Sequence, residues 1–242
     1  MTSISQSDSQ HSNLPPAPQF DFAAGEMLLV DKPLEWTSFD VVKKMRGLTK
    51  VKKIGHAGTL DPLATGLLVL CTGKMTKQIE RFQGMEKGYE GSLVLGKTTP
   101  SIDLETDFDS THATDHITLP QLEEARQKFL GLISQVPPQH SAIKVDGQRV
   151  YKSARQGKKV EIKPREVQIV AFDFIEITLP EVRFSVVCSK GTYIRSLVRD
   201  LGQELGVGAY LKELRRTRIG HLEVSNARTI SEWSTLLKPT EE

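Results

Sequence analysis

Apolar residues along the chain fall into short runs whose period changes, and the periods predict interspersed strands and helices. MLLVDKP (27–33) reads as a short apolar strand stopped by Pro33. Ser38 then caps a helix to about Leu48, with Phe39, Val42 and Met45 on one face. GLLVLCTG (66–73) is a continuous apolar run bounded by glycines, as expected of a strand buried on both faces. YEGSLVLG (89–96) is a further strand, whereas Thr98 to His116 has no apolar period and reads as an acidic surface excursion. Thr118 and Gln121 fit a capping box for a helix burying Leu122, Ala125, Phe129 and Leu132. VQIVAFDFIEI and VRFSVVC form two strands joined at Leu179 and Pro180, and the second alternates Val182, Phe184, Val186 and Cys188 at period two. After SKG, the residues Ile194, Leu197, Val198, Leu201 and Leu205 have helical spacing, with Gly206 near the stop. VSNARTISEWSTLL reads as a closing helix. Residues 1–24 are Ser-, Gln- and Pro-rich and are expected to form a disordered tail, with one α/β (α+β) domain over 25–242.

Charge changes this picture more than composition does. The total is only +2, but it is segregated: Glu86 to Glu124 holds nine acidic residues against two lysines. Lys144 to Arg165 holds eight basic residues against two acidic ones. Such a local field attracts polyphosphate, and an exposed RNA-contacting lobe is expected over about 135–167. The two cysteines, Cys71 and Cys188, sit among apolar neighbours, too few for a disulfide framework or a thiolate metal site. No apolar stretch reaches bilayer length and no signal-peptide pattern is present, so a cytoplasmic protein without membrane attachment is expected.

Five segments carry candidate chemistry. GHAGTLDPLATG (55–66) frames one carboxylate, Asp61, with glycines and with Pro62, which restricts Asp61 to extended geometry. CSKGTYIRSL (188–197) puts Tyr193 and Arg195 at a helix N-terminus, where a guanidinium could pair bidentately with a carboxylate. EKGYEGSLVLG (86–96) starts a strand at Tyr89, a residue able to stack on a base. QVPPQHSAIKVDGQRVYKSARQGKKVEIKPREV (135–167) interleaves turns with basic residues, and YLKELRRTRIG (210–220) clusters Arg215, Arg216 and Arg218.

In order along the chain these segments resemble the TruB family of tRNA pseudouridine synthases. The resemblance rests on VDKPLEWTSFDVV, KIGHAGTLDPLATGLL, KGYEGSLVLG, QVPPQHSAIKVDGQRVYKSARQG, CSKGTYIRSLVRDLG and LKELRRTRIG, from about Leu28 to Gly220. It implies the pseudouridine synthase fold, a central mixed and mostly antiparallel sheet flanked by helices with a basic RNA-binding insertion. It implies isomerisation of uridine 55 in the tRNA T-loop, with Asp61 as the catalytic carboxylate, acting as nucleophile or as base. By the same resemblance Tyr89 stacks on the flipped base, Arg195 pairs with Asp61, Tyr193 lies beside them and His56 enters the T-loop. Lys32 is a supporting motif lysine. Lys32, Arg149, Lys152, Lys158, Lys159, Arg215 and Arg216 are expected to contact RNA. The reaction is redox-neutral, so no cofactor or metal is expected. Only about twenty residues follow Gly220, so no C-terminal PUA domain and no guide RNA are expected, and the protein is expected to act as a monomer on the T-arm.

Overall fold

The computed structural model describes residues 20–238 except 142, 146–147 and 151–159, with backbone alone for 144–145 and 148–149. The strands are β1 (Met27–Lys32), β2 (Ile54–His56), β3 (Ala64–Thr72), β4 (Lys87–Leu95), β5 (Lys97–Thr98), β6 (Ser110–Thr111) and β7 (Gly131–Gln135). They continue as β8 (Lys144–Val145), β9 (Gln148–Arg149), β10 (Arg165–Thr178), β11 (Glu181–Cys188), β12 (Ala209–Ile219), β13 (Leu222–Glu223) and β14 (Arg228–Thr229). One mixed sheet runs β14-β1-β3-β12-β4-β11-β10-β7, with β2 added to β3 and β13 to β12. Its pairings are antiparallel except β1 with β14 and β3 with β12. The fold class is the expected one.

Period explains how the sheet is covered. On β3, Leu68 and Leu70 join a cluster under helix Ser38–Thr49, while Leu67, Val69 and Cys71 join another on the opposite side. Burial of both faces accounts for the unbroken apolar run. On β11 the period-two set Val182, Phe184, Val186 and Cys188 packs on one side only, against Leu197, Val198 and Leu201 of helix Ile194–Glu204. Among the described residues, no helix is long and apolar enough to cross a membrane.

Several local expectations are corrected. The first helix is capped by Thr37, which forms a capping box with Asp40, and Ser38 is buried inside it. Val41 joins Val42 and Met45 on the buried face, whereas Phe39 is exposed. The capping box of Thr118 and Gln121 is present, but its helix stops at Gln127 and Leu132 stands exposed on β7. The closing helix is confined to Ile230–Leu236, preceded by a short turn and β14. Residues 1–19 of the expected tail lie outside the described residues. Phe20 and Phe22, assigned to that tail, instead stack on each other and pack beside Trp233, whose indole N–H donates to the Leu29 carbonyl at 3.0 Å.

Candidate active site

The loop before β3 is fixed on both sides of Asp61. Upstream, the buried Ser38 hydroxyl accepts from the Leu60 amide at 2.8 Å and donates to the Leu60 carbonyl at 3.1 Å. Downstream, the Pro62 carbonyl accepts from the Glu35 amide at 2.9 Å and from Lys32 Nζ at 3.2 Å. Lys32 also donates to the carbonyls of Pro33 (2.8 Å) and Trp36 (2.5 Å) and is fully buried. Burial depresses its ammonium to a pKa of about 8 despite the attraction of Asp61. Expected as an RNA contact, Lys32 instead lies beneath the Asp61 loop and ties it together, with no exposed surface of its own. With the backbone tied at 60 and 62, Asp61 has little freedom beyond its own side-chain rotation.

Arg195 meets Asp61 from the first turn of helix Ile194–Glu204. One nitrogen, Nη2, lies 2.9 Å from Asp61 Oδ2, so the contact is not the bidentate one expected. Nη1 and Nη2 also reach backbone carbonyls, while the buried Nε has no hydrogen-bond partner among the described residues. Nη1 donates to the Ser101 carbonyl at 3.0 Å, Nη2 also to the His140 carbonyl at 2.8 Å, and Nε faces Asp103 Oδ2 at 3.6 Å. Accessibility separates the roles: Asp61 keeps 41% of its side chain open, against 4% for Arg195 and 7% for Asp103. Arg195 and Asp103 are sealed supports, and Asp61 is the group left facing a ligand. Asp103 is a residue beside the site that the chain pattern missed. It lies in the expected acidic surface excursion, which instead delivers Ser101 and Asp103 into the interior. Between them Ile102 holds φ +66°, a conformation costing a β-branched residue about 1–3 kcal/mol.

A cavity of about 530 Å³ opens above Asp61, within the range of small-ligand sites. Tyr89, Tyr193, Lys87, Arg165, Arg195 and Arg216 contribute to its walls. Tyr89 and Arg216 are cross-strand neighbours on β4 and β12. Arg216 is fully buried, donating to the Leu67 carbonyl at 2.8 Å and the Gly58 carbonyl at 3.1 Å. It is therefore part of the cavity wall and not of an exposed cationic face. Its backbone approaches β3 so closely that a Cβ on Gly66 (φ +99°) would stand 2.3 Å from the Arg216 carbonyl oxygen. Arg215, one residue earlier, points elsewhere and pairs with Asp31 through two nitrogens, at 2.6 and 3.0 Å. Neither Arg215 nor His56 lines the cavity. The His56 Nδ1 is buried without a hydrogen-bond partner, and burial lowers the imidazole pKa. Lys152, Lys158 and Lys159 lie outside the described residues, and Arg149 is described by backbone alone.

Burial governs the electrostatics. It raises the Asp61 carboxyl, while Arg195 pulls it back and Asp103 adds to the rise. It raises the Tyr89 phenol against the pull of Arg216, and the Tyr193 phenol against that of Arg165. Both tyrosines therefore stay neutral hydroxyls near pH 7. Lys87, whose Nζ donates to the carbonyls of Gln83 and Met85 at 2.5 Å each, is lowered to about 8. Apart from Asp61, the charged groups on the cavity wall are cations, a field suited to a phosphorylated ligand.

The sheet that carries this tied carboxylate, with its neutral aromatic walls and cationic surround, is similar to that of solved pseudouridine synthases. The crystal structure of a Cbf5–Nop10–Gar1 complex aligns with a TM-score of 0.68 at 26% identity, covering 89% of this chain and 60% of that one. The chain thus spans three-fifths of that protein's length. Within the class, the TruB family pseudouridylate synthase N-terminal domain matches residues 46–194, and the tRNA pseudouridylate synthase B C-terminal domain matches 195–240. The chain belongs to the TruB family, whose members isomerise uridine to pseudouridine in tRNA. It is 51% identical over 223 residues to the tRNA pseudouridine synthase B of Phocaeicola vulgatus, covering 88% of this chain and 94% of the relative. It is also 51% identical over 218 residues to that of Flavobacterium johnsoniae, covering 87% and 95%. The two matched regions build one sheet here, since β12 from the second lies between β3 and β4 from the first.

Proposed function

We propose that this cleft isomerises uridine 55 in the T-loop of tRNA, with Asp61 as the catalytic carboxylate. The observation that carries the reading is the Asp61 carboxylate, open to the cavity and backed by the sealed Arg195. A uridine stacked inside a folded loop cannot present its glycosidic bond, so the nucleotide is flipped out at a cost of a few kcal/mol. In the cavity the base stacks on Tyr89 and the ribose C1′ lies at Asp61. The N1–C1′ bond breaks, the uracil turns, and C5 bonds to C1′. The proton lost from C5 is balanced by the one gained at N1, so atoms and electrons balance within the nucleotide. Arg195 keeps Asp61 in its anionic form, which either role, nucleophile or base, requires. Tyr89, held as a neutral phenol, stacks and donates a hydrogen bond.

His56 and the basic segment, with Arg149, Lys152, Lys158 and Lys159, contact the T-arm in this reading, and the protein acts as a cytoplasmic monomer without guide RNA. The test is the purified protein on unmodified tRNA and on an isolated T-arm stem-loop. Pseudouridine at position 55 of both substrates is expected. Its absence from both would overturn the reading.

A further inference from the structure

Arg165 opens β10, where the chain returns from the basic segment to the sheet, and its side chain reaches the wall of the Asp61 cavity. Its guanidinium lies over the Tyr193 ring, 5.7 Å from the centroid. The loop Ser189–Thr192 passes close by: a Cβ on Gly191 would stand 3.8 Å from Arg165 Nη1. This loop also contributes Lys190 to the cavity wall.

The other arginines of the cavity are committed. Arg195 is held by Asp61 and two carbonyls, and Arg216 by two carbonyls. Arg165, by contrast, has no carboxylate oxygen within 4.0 Å among the described residues. A guanidinium held over a ring and without a carboxylate partner keeps N–H donors for a ligand, and its planar fork matches two oxygens of a phosphate. A cation placed this way on a cavity wall is arranged for an anion carried by the ligand.

The ligand supplies one at the right place. When C1′ lies at Asp61, the phosphates on either side, joined to the same ribose through O5′ and O3′, must run along the cavity wall toward its mouth. Tyr193 and Asp61 line the same cavity, and the Arg165 guanidinium lies over the Tyr193 ring. We propose that Arg165 clamps one of the two phosphates flanking the flipped nucleotide and, from its place over the Tyr193 ring, couples that contact to the wall of the Asp61 cavity. The clamp rests on the reading of the cavity as a nucleotide site. It adds a phosphate subsite at the end of the basic segment, at a residue not among Arg149, Lys152, Lys158 and Lys159, and it makes Arg165 a positioning residue for the reaction.

The test is a cycle between protein and substrate. Arg165→Gln and Arg165→Lys are compared with the unaltered protein on T-arm stem-loops carrying a neutral methylphosphonate at either flanking phosphate. Thermal unfolding confirms that each variant is folded. Arg165→Gln is expected to raise Kd and KM about tenfold and to lower the slope of log K against log salt by about one. A methylphosphonate at one of the two positions should weaken the unaltered protein by a similar factor and leave Arg165→Gln unaffected. Arg165→Lys should recover the salt slope but not the full affinity, because it restores charge without the planar fork. Equal weakening of the unaltered protein and Arg165→Gln at both positions would overturn the clamp, as would an unchanged salt slope. Pseudouridine formation by the unaltered protein on the unmodified stem-loop separates the two failures. If it is present while the cycle shows no coupling, only the Arg165 assignment falls; if it is absent, the nucleotide site itself falls.

Discussion

Residues 55–66 and 98–116 are both irregular stretches beside strands, and both converge on the Arg195 guanidinium. The first brings Asp61 to 2.9 Å and the second brings Asp103 to 3.6 Å. They differ in how the chain holds them. The Asp61 loop is short, is framed by glycines and Pro62, and is tied by Ser38 and Lys32 from the first helix and its approach. The acidic stretch is tied mainly to itself. Thr99 and Ser101 hydroxyls donate to the Asp103 carbonyl at 2.6 and 3.2 Å, and Asp103 Oδ1 accepts from the Glu105 amide at 3.0 Å. A catalytic carboxylate must stay open to its ligand and be aimed, whereas a supporting carboxylate can be sealed. The first requirement leaves its mark in composition and the second does not.

Removing the shared partner should have the largest effect. Arg195→Ala is expected to lower kcat by about 10³-fold, the scale of losing one preorganised electrostatic group. It should also move the acid limb of the pH–rate profile. Asp61 works ionised, and its pKa is raised by burial and restrained by Arg195. Activity therefore falls as pH falls through that raised value, and without Arg195 the limb shifts to still higher pH. A limb at the same pH in both proteins would show that the guanidinium does not act on Asp61. Next in size, Asp103→Asn should cost about 10²-fold in kcat with KM little changed, because Arg195 loses its far-side anchor and drifts. An effect confined to KM would place the acidic stretch with RNA binding and break the comparison. Ser38→Ala removes both hydrogen bonds to Leu60 and should cost about 1–3 kcal/mol of stability, read by denaturant unfolding, with a smaller loss of kcat. Smallest of all, Arg215→Ala should change stability by less than about 1 kcal/mol and leave kcat unaltered, since its pair with Asp31 is partly exposed and off the cavity.

The parts legible in the chain were those fixed by local chemistry. The doubly buried β3, the turn at Leu179 and Pro180, the Thr118–Gln121 capping box and the start of helix Ile194–Glu204 all follow from period and caps. The Asp61 loop is legible for the same reason. What escaped depends on contacts between distant segments. Lys32 and Arg216 look like surface cations, yet each is buried because backbone carbonyls of the Asp61 region accept its hydrogen bonds. Thr37 outcompetes Ser38 as cap because Ser38 is drawn inward to Leu60, 22 residues away. Arg215 and Arg216 face opposite ways through the alternation of β12, and only the pairing with Tyr89 and Gly66 says which one enters the cavity. Asp103 escaped because nothing in its own neighbourhood signals the guanidinium 92 positions later in the chain.

The central claim is that Asp61 performs the chemistry while the rest of the cleft binds and aims. The measurement that tests it most directly is single-turnover pseudouridine formation by Asp61→Asn on unmodified tRNA, with tRNA affinity measured on the same preparation. Asparagine keeps the size and a hydrogen-bonding side chain but removes the charge. The account predicts no detectable product with affinity within about tenfold of the unaltered protein. Product formation at the unaltered rate would contradict it.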